Sequence, residues 1–252
     1  MNITWLDTDK LFPAAIETLV EPDVVLDIGC GIMPQKYVRP RVHICCEPFG
    51  QYVEHLQQKV ALEYDRSYVV VNAPWSEAVK IFPPKSVDTV FLVDVIEHLE
   101  KSEALDLLRR TEALARKQVV LFTPLGFLPQ EDLDGKDAWG LDGGAWQEHK
   151  SGWSPEDFDA SWRIYASKVF HTADCFGRAF ETPYGAMWAI KDVAGTNHSR
   201  AVGTESAKIR KLLDFVGEVS VPVLLNLFLS LKITLKVKPK PLRTIRNRLF
   251  RK

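Results

Sequence analysis

Apolar positions along this chain gather into short β-branched runs separated by stretches of helical spacing. The runs are Val24 to Ile28, His43 to Cys46, Tyr68 to Val71, Val87 to Val95 and Gln118 to Phe122. They are continuous rather than alternating, which is the pattern of strands buried on both faces. Between them, Glu97 to Ala115 places Leu99, Leu105, Leu108 and Leu114 where they can share one helical face beside charged neighbours. Strands interleaved with helices predict a mostly parallel sheet covered on both sides. Two further runs, Ile164 to Phe170 and Ala186 to Ile190, raise the expected number of strands to seven, the last two antiparallel.

The rhythm changes after the fifth run. Residues Leu125 to Gly152 form a loop with six glycines, longer than a compact domain usually carries without a functional reason. A helix is expected to restart at Ser154-Pro155-Glu156-Asp157, with a serine cap, proline at the first helical position and acids in the first turn. The body should close near residue 193. Residues 194–206 read as a linker, and residues 207–252 as a helical extension that is first amphipathic, then apolar nearly all round, then basic.

Composition narrows the class. The chain has 252 residues with 46% hydrophobic and 26% charged, the profile of a globular protein with a sizeable core. The longest apolar run, Val221 to Leu231, is interrupted by Asn226 and Ser230 and falls short of the ~20 residues a membrane span needs. The formal net charge of −1 hides an asymmetry. Residues 1–193 hold 19 Lys+Arg against 30 Asp+Glu, a charge of −11, whereas residues 194–252 hold 13 against 3, a charge of +10. The four cysteines, Cys30, Cys45, Cys46 and Cys175, include no CxxC pair and read as reduced, buried thiols. With Asp7 and Asp9 at the start and no basic flank or apolar core, the chain is expected to remain cytoplasmic.

The sharpest motif is VVLDIGCG, Val24 to Gly31: a buried strand carrying Asp27, then Gly29 and Gly31. Such a turn lets the backbone approach a nucleoside at the mouth of a parallel sheet. A dinucleotide fingerprint would need a third glycine where Pro34 stands, and a carboxylate two residues before the first glycine repels a pyrophosphate but not a cation. Glu47 ends the second run, placed to accept hydrogen bonds from both hydroxyls of a ribose.

Together LDIGCG, Glu47, VDTVFLVDVIEHL and QVVLFTP resemble the class I S-adenosylmethionine-dependent methyltransferases over roughly residues 20 to 192. The resemblance implies a Rossmann-like seven-stranded, mostly parallel sheet with helices on both faces, here followed by a helical basic C-terminal extension. It implies that Gly29 and Gly31 line the methionine end of S-adenosylmethionine, and that Asp27 orients that turn or the amino group. It further implies that Glu47 holds the ribose, that Asn72 and Ala73 meet the adenine, and that Asp94 borders the cofactor. The family's usual small residue near Met33 is missing, and Asn72 replaces a more usual aspartate.

For the chemistry, Asp94-Val95-Ile96-Glu97-His98 lies where the fourth strand meets its helix. Glu97, His98 and His149 are the catalytic candidates, a histidine there being able to take a proton near neutral pH. The plain structural alternative is that Glu97 caps the helix and His98 packs. D-x-x-E-H followed by His149 is also similar to the E-x-x-E-H…H arrangement of metal-assisted 2′-O-methyltransferases of small RNAs, and in part to ubiquinone-pathway O-methyltransferases. No metal is obligatory for methyl transfer; should a divalent cation take part, Asp94, Glu97, His98 and His149 are its candidate set. His43, His55, His171 and His198 are expected in structural or solvated roles.

The long loop reads as a lid. Trp139, Trp146, Trp153, Trp162 and Trp188, with Asp132, Asp134, Asp137 and Asp142 interleaved, suit a polar ring-shaped acceptor; each tryptophan alone equally suits a hydrophobic staple. The expected activity is O-methylation of a small-molecule or glycan-type acceptor, the alternatives being N-methylation or a non-catalytic S-adenosylmethionine-binding scaffold. The tail over residues 221–252 fits contact with an anionic membrane surface, at the inner membrane face, or packing on the body or a second subunit. The acidic body disfavours nucleic acid. Nothing in the chain specifies an oligomeric state.

Overall fold

The computed structural model describes residues 2–62, 66–131 and 134–193. The expected linker, basic extension and their membrane or packing roles, together with Asp132 of the lid, lie outside the described residues. Among the described residues no helix is long and apolar enough to cross a membrane.

Among the described residues eight strands form one sheet in the order β1-β7-β8-β6-β5-β2-β3-β4. They are β1 (Asn2–Trp5), β2 (Val24–Ile28), β3 (Val42–Glu47), β4 (Ser67–Asn72), β5 (Val87–Val93), β6 (Ala115–Leu125), β7 (Trp162–Ala173) and β8 (Ala179–Asp192). The five runs read as parallel strands are β2 to β6, and their parallel pairing holds throughout. Two corrections follow. The sheet gains an eighth strand, because β1 adds parallel to β7 through Asn2↔Arg163 to Trp5↔Ala166. And only β8 runs against its neighbours, pairing antiparallel with both β6 and β7.

Period-two alternation sends side chains to two cores. On one face Leu26, Ile28, Val90, Leu92, Val119 and Leu121 pack under α3 (Trp75–Ile81) and α4 (Lys101–Leu114). On the other, Val25, Phe91, Val120, Phe122 and Trp188 meet α1 (Thr8–Ile16), while Cys30 and Cys45 meet Leu56 of α2 (Gly50–Val60). The fold is thus a three-layer, Rossmann-like α/β sheet. In α4 the buried stripe is Ala104, Leu107, Leu108, Thr111 and Leu114; Leu105, expected among the buried leucines, is 47% exposed. The helix expected from Ser154 is a single 3₁₀ turn, Pro155–Asp157, closed by a capping box between Ser154 and Asp157. It stops there because Phe158 and Trp162, 4% and 3% exposed, must turn into the core before β7 begins.

The order reverses between β2 and β5, so their C-terminal ends open a crevice, the usual ligand site of such sheets. Residues 29–41, which cross from β2 to β3, contain no helix. The floor of the sheet is fastened at the opposite end by Asp88. Its carboxylate, in a residue 4% exposed, accepts hydrogen bonds from the Asp23 and Val24 backbones at 2.7 and 3.2 Å and from Arg116 Nε at 3.0 Å. Burial alone would raise this carboxyl; the two backbone N–H donors, then Lys117 and Arg116, outweigh it and hold the pKa below the ordinary 3.8.

Asp88→Ala orphans two backbone donors and is expected to cost about 1–3 kcal/mol by urea denaturation at neutral pH. Because the folded pKa is depressed, the gap between wild type and variant should be complete above the unfolded carboxyl's value and close as pH falls through the lower folded one.

Candidate active site

The crevice is built on two left-handed glycines. Gly29 and Gly31 have φ of +66° and +56°, a region that costs other residues about 1–2 kcal/mol. At Gly29 a Cβ would also lie 2.9 Å from Val95 Cγ2, so the turn after β2 touches the turn after β5 directly. Gly29 N–H donates to the Cys46 carbonyl at 2.8 Å. Glu47, 4% exposed, uses one carboxylate oxygen to accept Gly31 N–H and the other to accept Phe49 N–H, both at 2.9 Å. Burial raises its pKa against the pull of those two donors. Each oxygen keeps a further lone pair for a ligand hydroxyl. Since no helix begins after this turn, the positive helix end that binds a pyrophosphate is missing among the described residues.

Asp27 is 1% exposed and its carboxylate is engaged by the protein, accepting Gln35 N–H at 2.7 Å and contacting His43 Nε2 at 3.0 Å. Both contacts fall on Oδ2, through which Asp27 braces the turn after β2. Gln35 extends the brace by accepting the Tyr37 and Val38 N–H groups. His43 has the expected structural role, as a buried partner of this carboxylate. Desolvation opposes its charge, but the Asp27 and Cys45 partners prevail and raise its pKa from 6.5 to about 9. Asn72 donates its side-chain amide to the Glu47 and Pro48 carbonyls, and Ala73 N–H donates to Glu47 O, so both shape the rim beside Glu47.

Across the crevice, β5 ends in Asp94, a non-glycine residue at φ +51°, with its N–H donated to the Phe122 carbonyl. Asp94 keeps exposed surface, yet desolvation of its carboxyl, opposed by the neighbouring Glu97, raises its pKa to about 7. The neighbouring Glu97 is 2% exposed and pushed well above the carboxylate range, by burial first and the Asp94 charge second. Thr123 Oγ1 donates to Glu97 Oε2 at 3.0 Å, while buried Glu97 Oε1 has no partner among the described residues.

The lid delivers the second histidine. Lys150 and Ser151 N–H donate to the Glu97 carbonyl at 2.7 and 3.1 Å, zipping the end of the loop onto the β5 turn. His98 Nδ1 lies 3.0 Å from the Glu148 carbonyl and His149 Nδ1 2.7 Å from the Leu128 carbonyl. A carbonyl only accepts, so both Nδ1 atoms carry hydrogen and each Nε2 is the lone-pair nitrogen of its ring. The rings are 4.8 Å apart. Burial, then His149, pushes the His98 pKa down to about 4, and burial lowers that of His149. Glu97, His98 and His149 each present one ligand atom, all within 4.8 Å of one another.

Other expectations need revision. Trp153, Trp162 and Trp188 are at most 3% exposed and are core residues rather than acceptor walls. Asp137 is buried and accepts two lid N–H groups and the Tyr52 hydroxyl of α2, and Asp142 is tied to Lys136 and Gln51, so neither carboxylate is left to grip an acceptor. His171, expected in a structural or solvated role, is half-buried on β7 against the Phe170 ring, with its Nε2 enclosed and without a hydrogen-bond partner among the described residues. Burial and then His149 push its pKa down to about 4. Only the β7–β8 hairpin reveals that neighbourhood.

No protein-family model and no curated protein sequence matches the chain. Solved structures that resemble it include TehB from Haemophilus influenzae, at 12% identity over 74% of this chain and 62% of that one, TM-score 0.49. Magnesium protoporphyrin IX methyltransferase from Synechocystis, solved with SAH, matches at 18% identity over 73% of this chain and 81% of that one, TM-score 0.43. The cyclopropane synthase MmaA2 from Mycobacterium tuberculosis matches at 20% identity and TM-score 0.37; the match covers 46% of this chain and 42% of the synthase. Similarities this distant leave the activity to be argued from the site itself.

The His43–Asp27 pair has a pH signature. With the folded pKa above 6.5, its contribution is full below that pH and is lost as pH rises through about 9. Urea denaturation of wild type and His43→Gln should show a stability gap that narrows over this window, with the His43 ring resonances still those of an imidazolium at pH 8.

Proposed function

We propose that the chain is an S-adenosylmethionine-dependent methyltransferase acting on an oxygen of a small-molecule or glycan-type acceptor. One observation supports the cofactor above all: a buried carboxylate, Glu47, fixed by backbone N–H groups beside a double left-handed glycine turn from which no helix emerges. That arrangement suits a nucleoside with vicinal hydroxyls and a cationic amino-acid arm, and does not suit a pyrophosphate. S-adenosylmethionine supplies an activated methyl on a sulfonium, so the protein must position the acceptor, exclude water and receive a proton.

This chain's residues divide that work. Gly29 and Gly31 leave backbone room for the ligand, Glu47 accepts its hydroxyls, and Asp27 and Gln35 keep the turn in shape. The Nε2 lone pairs of His98 and His149, on rings that burial keeps neutral, serve as the proton acceptors in this reading. Two such bases favour a hydroxyl acceptor over an amine, which is already nucleophilic.

Calorimetric titration with S-adenosylhomocysteine should show binding, with Glu47→Ala weakening it roughly 10–100-fold, the loss expected for hydrogen bonds to a charged group. NADH should give no heat. Absence of S-adenosylhomocysteine binding, or an affinity indifferent to Glu47, would remove the reading.

A divalent cation also fits the second half of the site. The unpartnered Glu97 Oε1 and two neutral imidazole nitrogens whose opposite nitrogens are anchored to carbonyls form a three-ligand N/O set. There Glu97, His98 and His149 would hold the ion, Asp94 would lie beside it, and the ion would lower the pKa of a bound hydroxyl. Titration with Mn²⁺ or Co²⁺ is expected to give one site per chain that is lost in His149→Ala and in Glu97→Gln. No binding by the wild type would leave the histidines as bases alone.

A further inference from the structure

The lid reaches the Gly29–Gly31 turn through Trp139. The nearest atom to where a Cβ on Gly31 would stand is Trp139 Cη2, at 3.9 Å, and Gly31 is the residue whose N–H is held by Glu47. Trp139 and Glu47 therefore flank the same peptide from different elements. The indole is half-buried and meets the Tyr52 ring of α2 edge to face, with centroids 5.4 Å apart and planes at 87°.

What fixes the indole is one carboxylate. Asp137, 5% exposed, accepts the Trp139 and Leu141 N–H groups on Oδ1, both at 2.9 Å, and the Tyr52 hydroxyl on Oδ2 at 2.5 Å. Gly143 packs against the same point: a Cβ there would collide with Tyr52 Oη and Asp137 Oδ2. Gln51 and Asp142 add two bonds between the same helix and the lid, at 3.0 and 3.1 Å. Burial, and then Asp137, raises the Tyr52 phenol well above its ordinary range, so it remains a donor at every working pH.

We propose that Trp139 is a cofactor-binding residue, the roof of the nucleoside site, and that the Tyr52–Asp137 hydrogen bond is the latch governing how fast the cofactor exchanges. This rests on the cofactor reading of Glu47. A ligand lying on the Gly29–Gly31 backbone is bounded above by the indole, and it leaves only when residues 137–143 lift from α2. Lifting breaks the Tyr52–Asp137 bond and parts the Tyr52 and Trp139 rings.

The test uses the full chain and S-adenosylhomocysteine as probe, with affinity from calorimetry, exchange from stopped-flow tryptophan fluorescence, and folding from circular dichroism. Trp139→Ala should weaken binding roughly 3–30-fold, the range for an indole removed from beside a cationic ligand arm. Trp139→Phe should retain most of the affinity while losing most of the fluorescence change. Tyr52→Phe, which keeps the ring and removes the hydroxyl, should release the probe about tenfold faster, the effect of one lost hydrogen bond to a charged group. Should Trp139→Ala lose native circular dichroism, Trp139→Leu supplies the same comparison.

Binding by Trp139→Ala within about twofold of wild type, or a fluorescence change that survives in Trp139→Phe, overturns the roof. An unchanged release rate in Tyr52→Phe overturns the latch. If the wild type itself takes up no S-adenosylhomocysteine, the cofactor reading falls and the roof with it; if only the variants behave as wild type, the cofactor reading stands alone.

Discussion

The site depends on a carboxylate that ties two loops together before any ligand arrives. Glu47 accepts Gly31 N–H with one oxygen and Phe49 N–H with the other, so the turn leaving β2 and the turn leaving β3 are fixed relative to each other. Taking a carboxylate out of water is costly, and two backbone donors offset part of that cost. The turn can meet Glu47 because both glycines adopt backbone angles that side-chain-bearing residues avoid. It also packs on Val95, which places the β5 turn against the β2 turn with no side chain between them on the glycine side. Preorganisation of this kind lowers the ordering cost at the moment of binding.

From that junction the crevice divides into two differently built halves. One half is backbone and a carboxylate, suited to a nucleoside. The other collects Asp94, Glu97, His98 and His149 in poorly solvated surroundings, where imidazoles remain neutral and carboxyls hold their protons more tightly. The lid belongs to both. Its middle, around Asp137 and Trp139, rests on α2 and the glycine turn, and its end, from Glu148 to Ser151, is bonded to the β5 turn. A loop fixed at both places couples the two halves of the crevice to each other.

Much of this was legible in the chain because it rests on local pattern. Strands β2 to β6 follow from unbroken β-branched runs, and Gly29, Gly31 and Glu47 follow from their place at strand ends. His98 and His149 could be named as chemistry, but only the lid's backbone bonds bring them together. What eluded the pattern depends on distant partners. Asn2 to Trp5 is too short to signal a strand without β7 to receive it. Leu105 has helical spacing yet faces water, since the buried stripe runs through Ala104, Leu107 and Leu108. Trp153, Trp162 and Trp188 resemble an acceptor wall in sequence and are core in space, the ambiguity of any large aromatic read singly. Asp137 looked like a lid carboxylate free to grip a sugar; its partner Tyr52 lies 85 positions away.

The outermost strand has a consequence for assembly of the fold. β1 joins the sheet through partners some 160 positions distant, with Thr8 of the following helix bonded to the Val169 carbonyl across a separation of 161 residues. Contacts so remote in the chain carry a loop-closure penalty that local pairings avoid. Until they form, the flank of β7 is an open seam with unpaired amides, the kind of border along which chains stick to one another. A four-residue ribbon thus acts as a selvedge, closing a flank of β7 that would otherwise invite clumping.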